Sequence, residues 1–162
     1  MGVTLAGMDI RRAVPEDAEA ISTLIKSVAH YFTLNPQGGG AGAFFQSIEP
    51  EAIRGYITAP SFLYYAGLLD QQLAGVVAVR NTTHLYHLFV GKPFQERGLG
   101  WQLWQHAKEA AIAAGNRAGF TVNSTPHAAH FYQRFGFQAT GPRIEMHGIA
   151  FIPMKLRLKA TE

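Results

Sequence analysis

The chain has 162 residues, 48% hydrophobic and 15% charged, with a formal charge of +3 from 14 basic and 11 acidic side chains. That length suits one hydrophobic core, and so apolar a composition excludes a disordered chain. There are no cysteines, which excludes disulfides, thiolate metal sites and a cysteine nucleophile.

Residues 8–14 alternate loosely and read as a first strand. "VPEDAEAISTLIKSVAHYF" then puts Pro15 at the first helical position with acids behind it. Apolar residues recur at Ala18, Ile21, Leu24, Ile25 and Val28, which makes this a helix. "LNPQGGGAG", with four glycines and a proline, reads as a mobile loop. A short helix is expected over 50–58. Three strands follow over 62–69, 73–80 and 84–90, and the breaks "DQQ" and "NTT" are short enough for antiparallel hairpins.

A helix over 98–114 carries Leu99, Leu103, Trp104, Ala107, Ala111 and Ile112 on one face, with Gly115 as its C-cap. "AGFTVNS" reads as a buried strand. "TPHAAHFYQRFGF" is a short helix capped by Thr125 with Pro126 behind it. Two last strands, 137–146 and 149–158, meet at "HG", a hairpin turn. The order is that of a mixed α/β fold with a strand-helix-strand crossover at its centre. One domain is expected over 1–162, with its core at about 8–158.

No apolar run approaches the roughly 18 uncharged residues that a membrane span requires. The first residues lack a basic region ahead of a hydrophobic one, and Gly2 is not followed by Ser or Thr at the position a myristoylation signal needs. The expectation is a cytoplasmic protein without a membrane partner. No run of five Lys or Arg occurs, so a nucleic-acid partner is not expected either.

The chemistry concentrates where the third hairpin strand meets the long helix, in "HLFVGKPFQERGLGWQLW". A helix N-terminus carries unpaired N–H groups and about half a positive charge, and so attracts phosphate. Gly98 and Gly100 remove Cβ atoms from the approach, Arg97 can add a charged contact, and Gln95 offers an amide. A P-loop needs Gly-Lys-Ser/Thr here, but Trp101 and Gln102 follow Gly100. A dinucleotide fold needs a third glycine where Leu103 stands.

Gln-x-x-Gly-x-Gly at Gln95 to Gly100, preceded by "HLFV", resembles the acyl-CoA signature of the GCN5-related N-acetyltransferase (GNAT) superfamily. "FTVNSTPHAAHFYQRFGF" resembles the second signature of that family. The resemblance implies a central, mostly antiparallel twisted sheet of about seven strands with helices on both faces. It also implies transfer of acetyl from acetyl-CoA, a co-substrate, directly to an amine in a ternary complex, without a metal.

By position, the resemblance assigns Leu88, Phe89 and Val90 to the pantetheine arm, with the Val90 amide as a candidate oxyanion donor. Gln95, Arg97, Gly98, Leu99 and Gly100 fall to the pyrophosphate. Tyr132 takes the place of the phenol that protonates the departing thiolate, its alternative being a core aromatic. Asn123 is a candidate for the pantetheine arm or for a simple turn. Thr125 departs from the family pattern, and its Thr-Pro pair suggests a capping role.

The general base is a choice among His84, six residues before Val90, His87, three before it, and Glu145 or His147 near the last hairpin. In a regular strand, His87 and Val90 face opposite sides. The sparsely acidic acceptor region favours a small-molecule amine or an amino-acid-like acceptor over a polycation. A protein or peptide amine, and a non-catalytic acyl-CoA sensor, are the alternatives. An exposed edge at the last strand would permit a homodimer.

Overall fold

The computed structural model describes residues 8–31, 33–35 and 37–159. Gly2, Phe32 and Pro36, named above, lie outside the described residues.

The elements run β1 (Asp9–Arg12), α1 (Ala18–Ser27), α2 (Gly42–Ser47), α3 (Pro50–Thr58), β2 (Phe62–Leu69), β3 (Gln72–Arg80), β4 (His84–Val90), α4 (Leu99–Ala113), β5 (Gly119–Ser124), α5 (Ala129–Arg134), β6 (Gln138–Ala139), β7 (Ile144–Met146) and β8 (Ile149–Arg157). The strands form one eight-stranded sheet in the order β1-β2-β3-β4-β5-β8-β6, with β7 also paired to β8. Every pair is antiparallel except β4–β5, which α4 joins as a crossover.

Two hairpins turn on residues in the left-handed region: Asp70 and Gln71 at φ 50° and 66°, then His147 and Gly148 at 54° and 79°. These two-residue turns match the twist of the strands they join, as "DQQ" and "HG" suggest. Pro15 opens a single 3-10 turn before α1 rather than the α-helix itself, and Pro126 does the same before α5. Thr125 caps the second of these, accepting from the Ala128 N–H at 3.0 Å.

The sheet separates two apolar layers. On one face, Val77, Val79, Leu85 and Val122 pack beneath Leu103 and Trp104 of α4 and Tyr132 of α5. On the other, Val76, Ala78 and Tyr64 pack beneath Ile21 and Ile25 of α1 and Ile53 of α3. Each such fully buried chain contributes about 1.5–3 kcal/mol relative to its exposure, which is what fixes the helices against the sheet.

Three expectations differ in detail. The loop after α1 holds a short helix, α2, and is docked: the Leu34 N–H donates to Gly148 O at 2.9 Å, and Thr33 bridges to Ile149. A Cβ on Gly148 would come within 2.5 Å of the Gly40 carbonyl carbon, so the contact depends on that glycine. The strand expected over 137–146 is broken into β6 and β7. Finally, β8 is not an edge, because β5 flanks it on one side and β6 and β7 on the other. Among the described residues the open edges are β1, the two-residue β6 and the three-residue β7, which leaves little ladder for an edge-to-edge dimer.

Candidate functional site

β4 and β5 pair only at His84–Thr121 and Leu85–Val122. Beyond Leu85 the two strands part, leaving a groove between residues 86–90 and the end of β5. The Gly91 N–H donates to Ala74 O at 2.8 Å, so Gly91 and Ala74 form a hydrogen-bonded pair of the β3–β4 ladder. Bonded and non-bonded pairs alternate in such a ladder. The pairs Val90–Gly75 and Leu88–Val77 are therefore the non-bonded ones. Their outer N–H and C=O groups on β4 point into the groove. Gln95 Nε2 reaches the Val90 carbonyl from that side, at 2.9 Å.

At the wide end of the groove stands the turn into α4. Glu96 and Gly98 both adopt positive φ, 65° and 77°, and Gly98 is the residue from which the helix starts. A Cβ at Gly98 would meet nothing within 4 Å, and one at Gly100 only a Val90 methyl at 3.9 Å, so the floor of this turn is open. The Arg97 guanidinium lies 6.0 Å from the Phe94 ring, without a carboxylate partner among the described residues. Leu99 is buried and anchors the first turn of α4, leaving the helix's first N–H groups at the groove. Trp101, 44% exposed, stands beside them against Phe135 at 5.1 Å.

A bulge decides which side chains reach the narrow end. Ala78 pairs with His87 but Val79 with Leu85, so Tyr86 is an extra residue in β4. Tyr86 and His87 consequently share the α1/α3 face, with rings stacked at 4.5 Å and both touching Tyr56. The extra residue inverts the parity of everything before it. In a regular strand, His84 would share Val90's face. In the bulged strand Leu85 joins Val90's layer and His84 faces the other side, together with Thr121. His84 Nδ1 lies 2.8 Å from Thr121 Oγ1. Burial, and then the nearby Arg80 guanidinium, hold its pKa below the ordinary histidine value.

His87 is 6% exposed, and its Nδ1 lies 2.9 Å from the Tyr64 hydroxyl. Burial pushes its pKa down to about 3, against about 6.5 in an unfolded chain. Between those values the unfolded state binds a proton that the folded state refuses. Stability is then complete above the unfolded value and falls as pH drops toward the folded one. Denaturant melts are expected to show the decline below about pH 6.5, and His87→Gln, which can still pair with Tyr64, should flatten it. An unchanged slope in the variant would place the decline elsewhere.

Tyr132 lies on the opposite face. It is 8% exposed and packs edge-on against Phe135 and Phe137, and its hydroxyl has no hydrogen-bond partner among the described residues. Burial raises its pKa, so the phenol stays protonated. Asn123, exposed and alternating with Val122, faces the His84 side. Phe89 belongs to the bonded ladder and turns its ring to His87 at 5.3 Å, so the groove edge is made by Leu88 and Val90. Glu145 pairs with Arg143 at 3.3 Å, and His147 forms the last hairpin turn, which removes both from the narrow end of the groove. His127 stacks on Tyr31 at 4.7 Å, tying the segment after α1 to the start of α5.

The family model described as an acetyltransferase (GNAT) domain matches residues 32–158. The chain belongs to the GNAT acetyltransferase family. It is an N-acetyltransferase, with a mixed α/β fold of the GNAT type. Among solved structures, it superposes on a GCN5-related N-acetyltransferase from Rhodopseudomonas palustris with TM-score 0.79 at 18% identity, covering 98% of this chain and 100% of that one. The PaiA N-acetyltransferase of Thermoplasma acidophilum, in complex with coenzyme A, gives 0.76 at 14%, covering 94% and 99%. An aminoglycoside 6'-N-acetyltransferase complexed with coenzyme A gives 0.70 at 13%, covering 96% and 100%. No match was found among curated proteins.

In this GNAT domain Tyr132 and His84 lie on opposite faces of the sheet, Tyr132 in the apolar layer against which Leu88 and Val90 pack and His84 beside Thr121 on the other. Sequence reasoning missed Thr121 and Arg80, the two residues in contact with or beside His84. Thr121 lies two residues before Asn123 on a strand read as buried, and only the β4–β5 register brings it to His84. Among the described residues there is no helix long and apolar enough to cross a membrane.

Proposed function

We propose that the chain transfers the acetyl group of acetyl-CoA directly to the amine of a small-molecule or amino-acid-like acceptor, in a ternary complex. The observation that carries this reading is the parting of β4 and β5, with Leu88 and Val90 backbone groups facing the gap at one level and an open helix N-terminus at its mouth. Bound acetyl-CoA supplies an activated thioester; the protein supplies position and proton transfer.

Leu88 and Val90 offer the pantetheine arm a strand edge, so that it pairs as an extra strand would. Gln95, already bonded to the Val90 carbonyl, holds the turn against β4. The N–H groups at Leu99 and Gly100, over a floor without side chains at Gly98 and Gly100, receive the pyrophosphate, and Arg97 adds charge. The Val90 N–H stabilises charge that develops on the thioester oxygen. His84, kept neutral near pH 7 by its lowered pKa, accepts the proton of the acceptor amine. Tyr132, kept protonated by burial, returns a proton to the thiolate that departs on the other face. Asn123, on the His84 side, is placed to bond the arm or the acceptor.

Acetyl-CoA titration checks the reading. Calorimetry is expected to give a single site of micromolar affinity, and Trp101 fluorescence should change with it, since Trp104 is fully buried and the chain holds 2 tryptophans. No heat and no fluorescence change at high micromolar ligand would exclude acetyl transfer.

A further inference from the structure

A row of side chains crosses the sheet at the narrow end of the groove: Arg80, His84, Thr121 and Lys155 are successive partners on β3, β4, β5 and β8. Direct partners on adjacent strands point to the same side, about 5 Å apart at Cβ. The side is that of α1 and α3, and those helices stop short of it: Thr121 and Lys155 are exposed. The row contains two cations and no carboxylate.

Arg80 is the cation nearest the reaction. It is exposed, and its guanidinium lies 5.3 Å from the Tyr86 ring, level with the point where β4 and β5 part. No carboxylate pairs with it among the described residues. The carboxylates of α3, its N-cap and the last hairpin are engaged elsewhere: Glu49 with Lys26 at 2.7 Å, Glu51 with Arg54 at 2.8 Å and Glu145 with Arg143 at 3.3 Å. An unpaired arginine beside a histidine is unfavourable to a cationic visitor and favourable to an anionic one.

We propose that Arg80 holds the carboxylate of the acceptor, so that the substrates of this enzyme are amines carrying an anionic group, α-amino acids foremost, rather than polyamines or polycationic sugars. The guanidinium on Tyr86 and the imidazole of His84 are adjacent, which suits an amine and a carboxylate separated by one carbon. The planar fork of Arg80 matches a carboxylate in two parallel bonds, while Tyr86 and Tyr56 offer an apolar wall to the rest of the molecule. The arrangement has a consequence for the base. Arg80 depresses the basicity of His84, second to burial, and a carboxylate docked on Arg80 cancels that field. The acceptor thereby strengthens the base that deprotonates it.

This inference rests on the acetyl-transfer reading, and the experiment separates the two. Matched sets of an aromatic amino acid, its primary amide and its decarboxylated amine are presented with acetyl-CoA, and release of CoA is followed. The amino acid should exceed its amide in kcat/KM by about 10- to 100-fold, the worth of a charged hydrogen-bonded contact. In Arg80→Ala that preference should collapse through KM, and Arg80→Lys should restore part of it. Equal use of acid and amide, or a preference that survives Arg80→Ala, overturns the proposal while leaving acetyl transfer intact. If acetyl-CoA binds but no member of the set is acetylated, the same acids and amides are titrated onto the CoA-bound protein. Tighter binding of the acid that is lost in Arg80→Ala then supports the proposal, and indifference to the substitution overturns it. Failure to bind acetyl-CoA removes the underlying reading instead.

Discussion

Tyr132→Phe is expected to lower kcat by about 10²-fold or more while leaving acetyl-CoA affinity essentially unchanged, because the loss is that of a positioned general acid. The competing account of Tyr132 is packing. It lies in the same apolar layer as Val122 and Trp104 and meets two phenylalanine rings edge-on. Phenylalanine retains all of that. The hydroxyl has no partner among the described residues to strand, so the substitution leaves no buried polar group of theirs unsatisfied and should not lower stability. A packing residue therefore predicts no kinetic effect, and a proton donor predicts a fall in kcat at constant KM. Single-turnover kinetics on a purified variant, with its melting temperature alongside, decides between them: an unaltered turnover rate takes Tyr132 out of the mechanism.

Those parts of the molecule governed by local chemistry could be read directly from residues. Turn pairs such as Asp70–Gln71 and His147–Gly148 have few conformations open to them. The Thr125–Pro126 cap and the glycines at the start of α4 are similarly explicit, so the hairpins, the crossover and the tight turn into α4 were all visible. What escaped was set by pairing between distant strands. Nothing near Tyr86 marks it as a bulge residue, since the bulge arises from the register between β3 and β4. Yet that one residue decides that His84 and Val90 face opposite sides. The break between β6 and β7, and the burial of β8 within the sheet, likewise follow from partners rather than composition. The same holds for Arg80, which no motif contains, and for Thr121, to which the second signature gives no role; both gain meaning only as neighbours of His84 across the ladder.

His84→Gln should cost about 10²-fold in kcat/KM, the usual scale for losing a general base, and should change the shape of the pH profile as well as its height. A base must be neutral to accept a proton, so activity carried by His84 rises with pH through its pKa. Burial and Arg80 hold that value below the ordinary one near 6.5, so the acid limb should be centred below that pH. An acceptor amine contributes a second limb at higher pH as it loses its own proton, and an acceptor of low amine pKa separates the two. The low limb should vanish in His84→Gln and remain in His87→Gln, because His87 is buried, bonded to Tyr64 and neutral throughout. Thr121 provides a finer test. Its Oγ1 lies 2.8 Å from His84 Nδ1, a bond that selects the orientation of the ring and leaves Nε2 as the nitrogen not engaged by it. Thr121→Val keeps the shape but loses that selection, and should lower kcat with little change in acetyl-CoA affinity. Thr121→Ser, which keeps the hydroxyl, should recover most of the rate. A Val variant as active as the parent, or a low limb that persists without His84, would assign the base to another group.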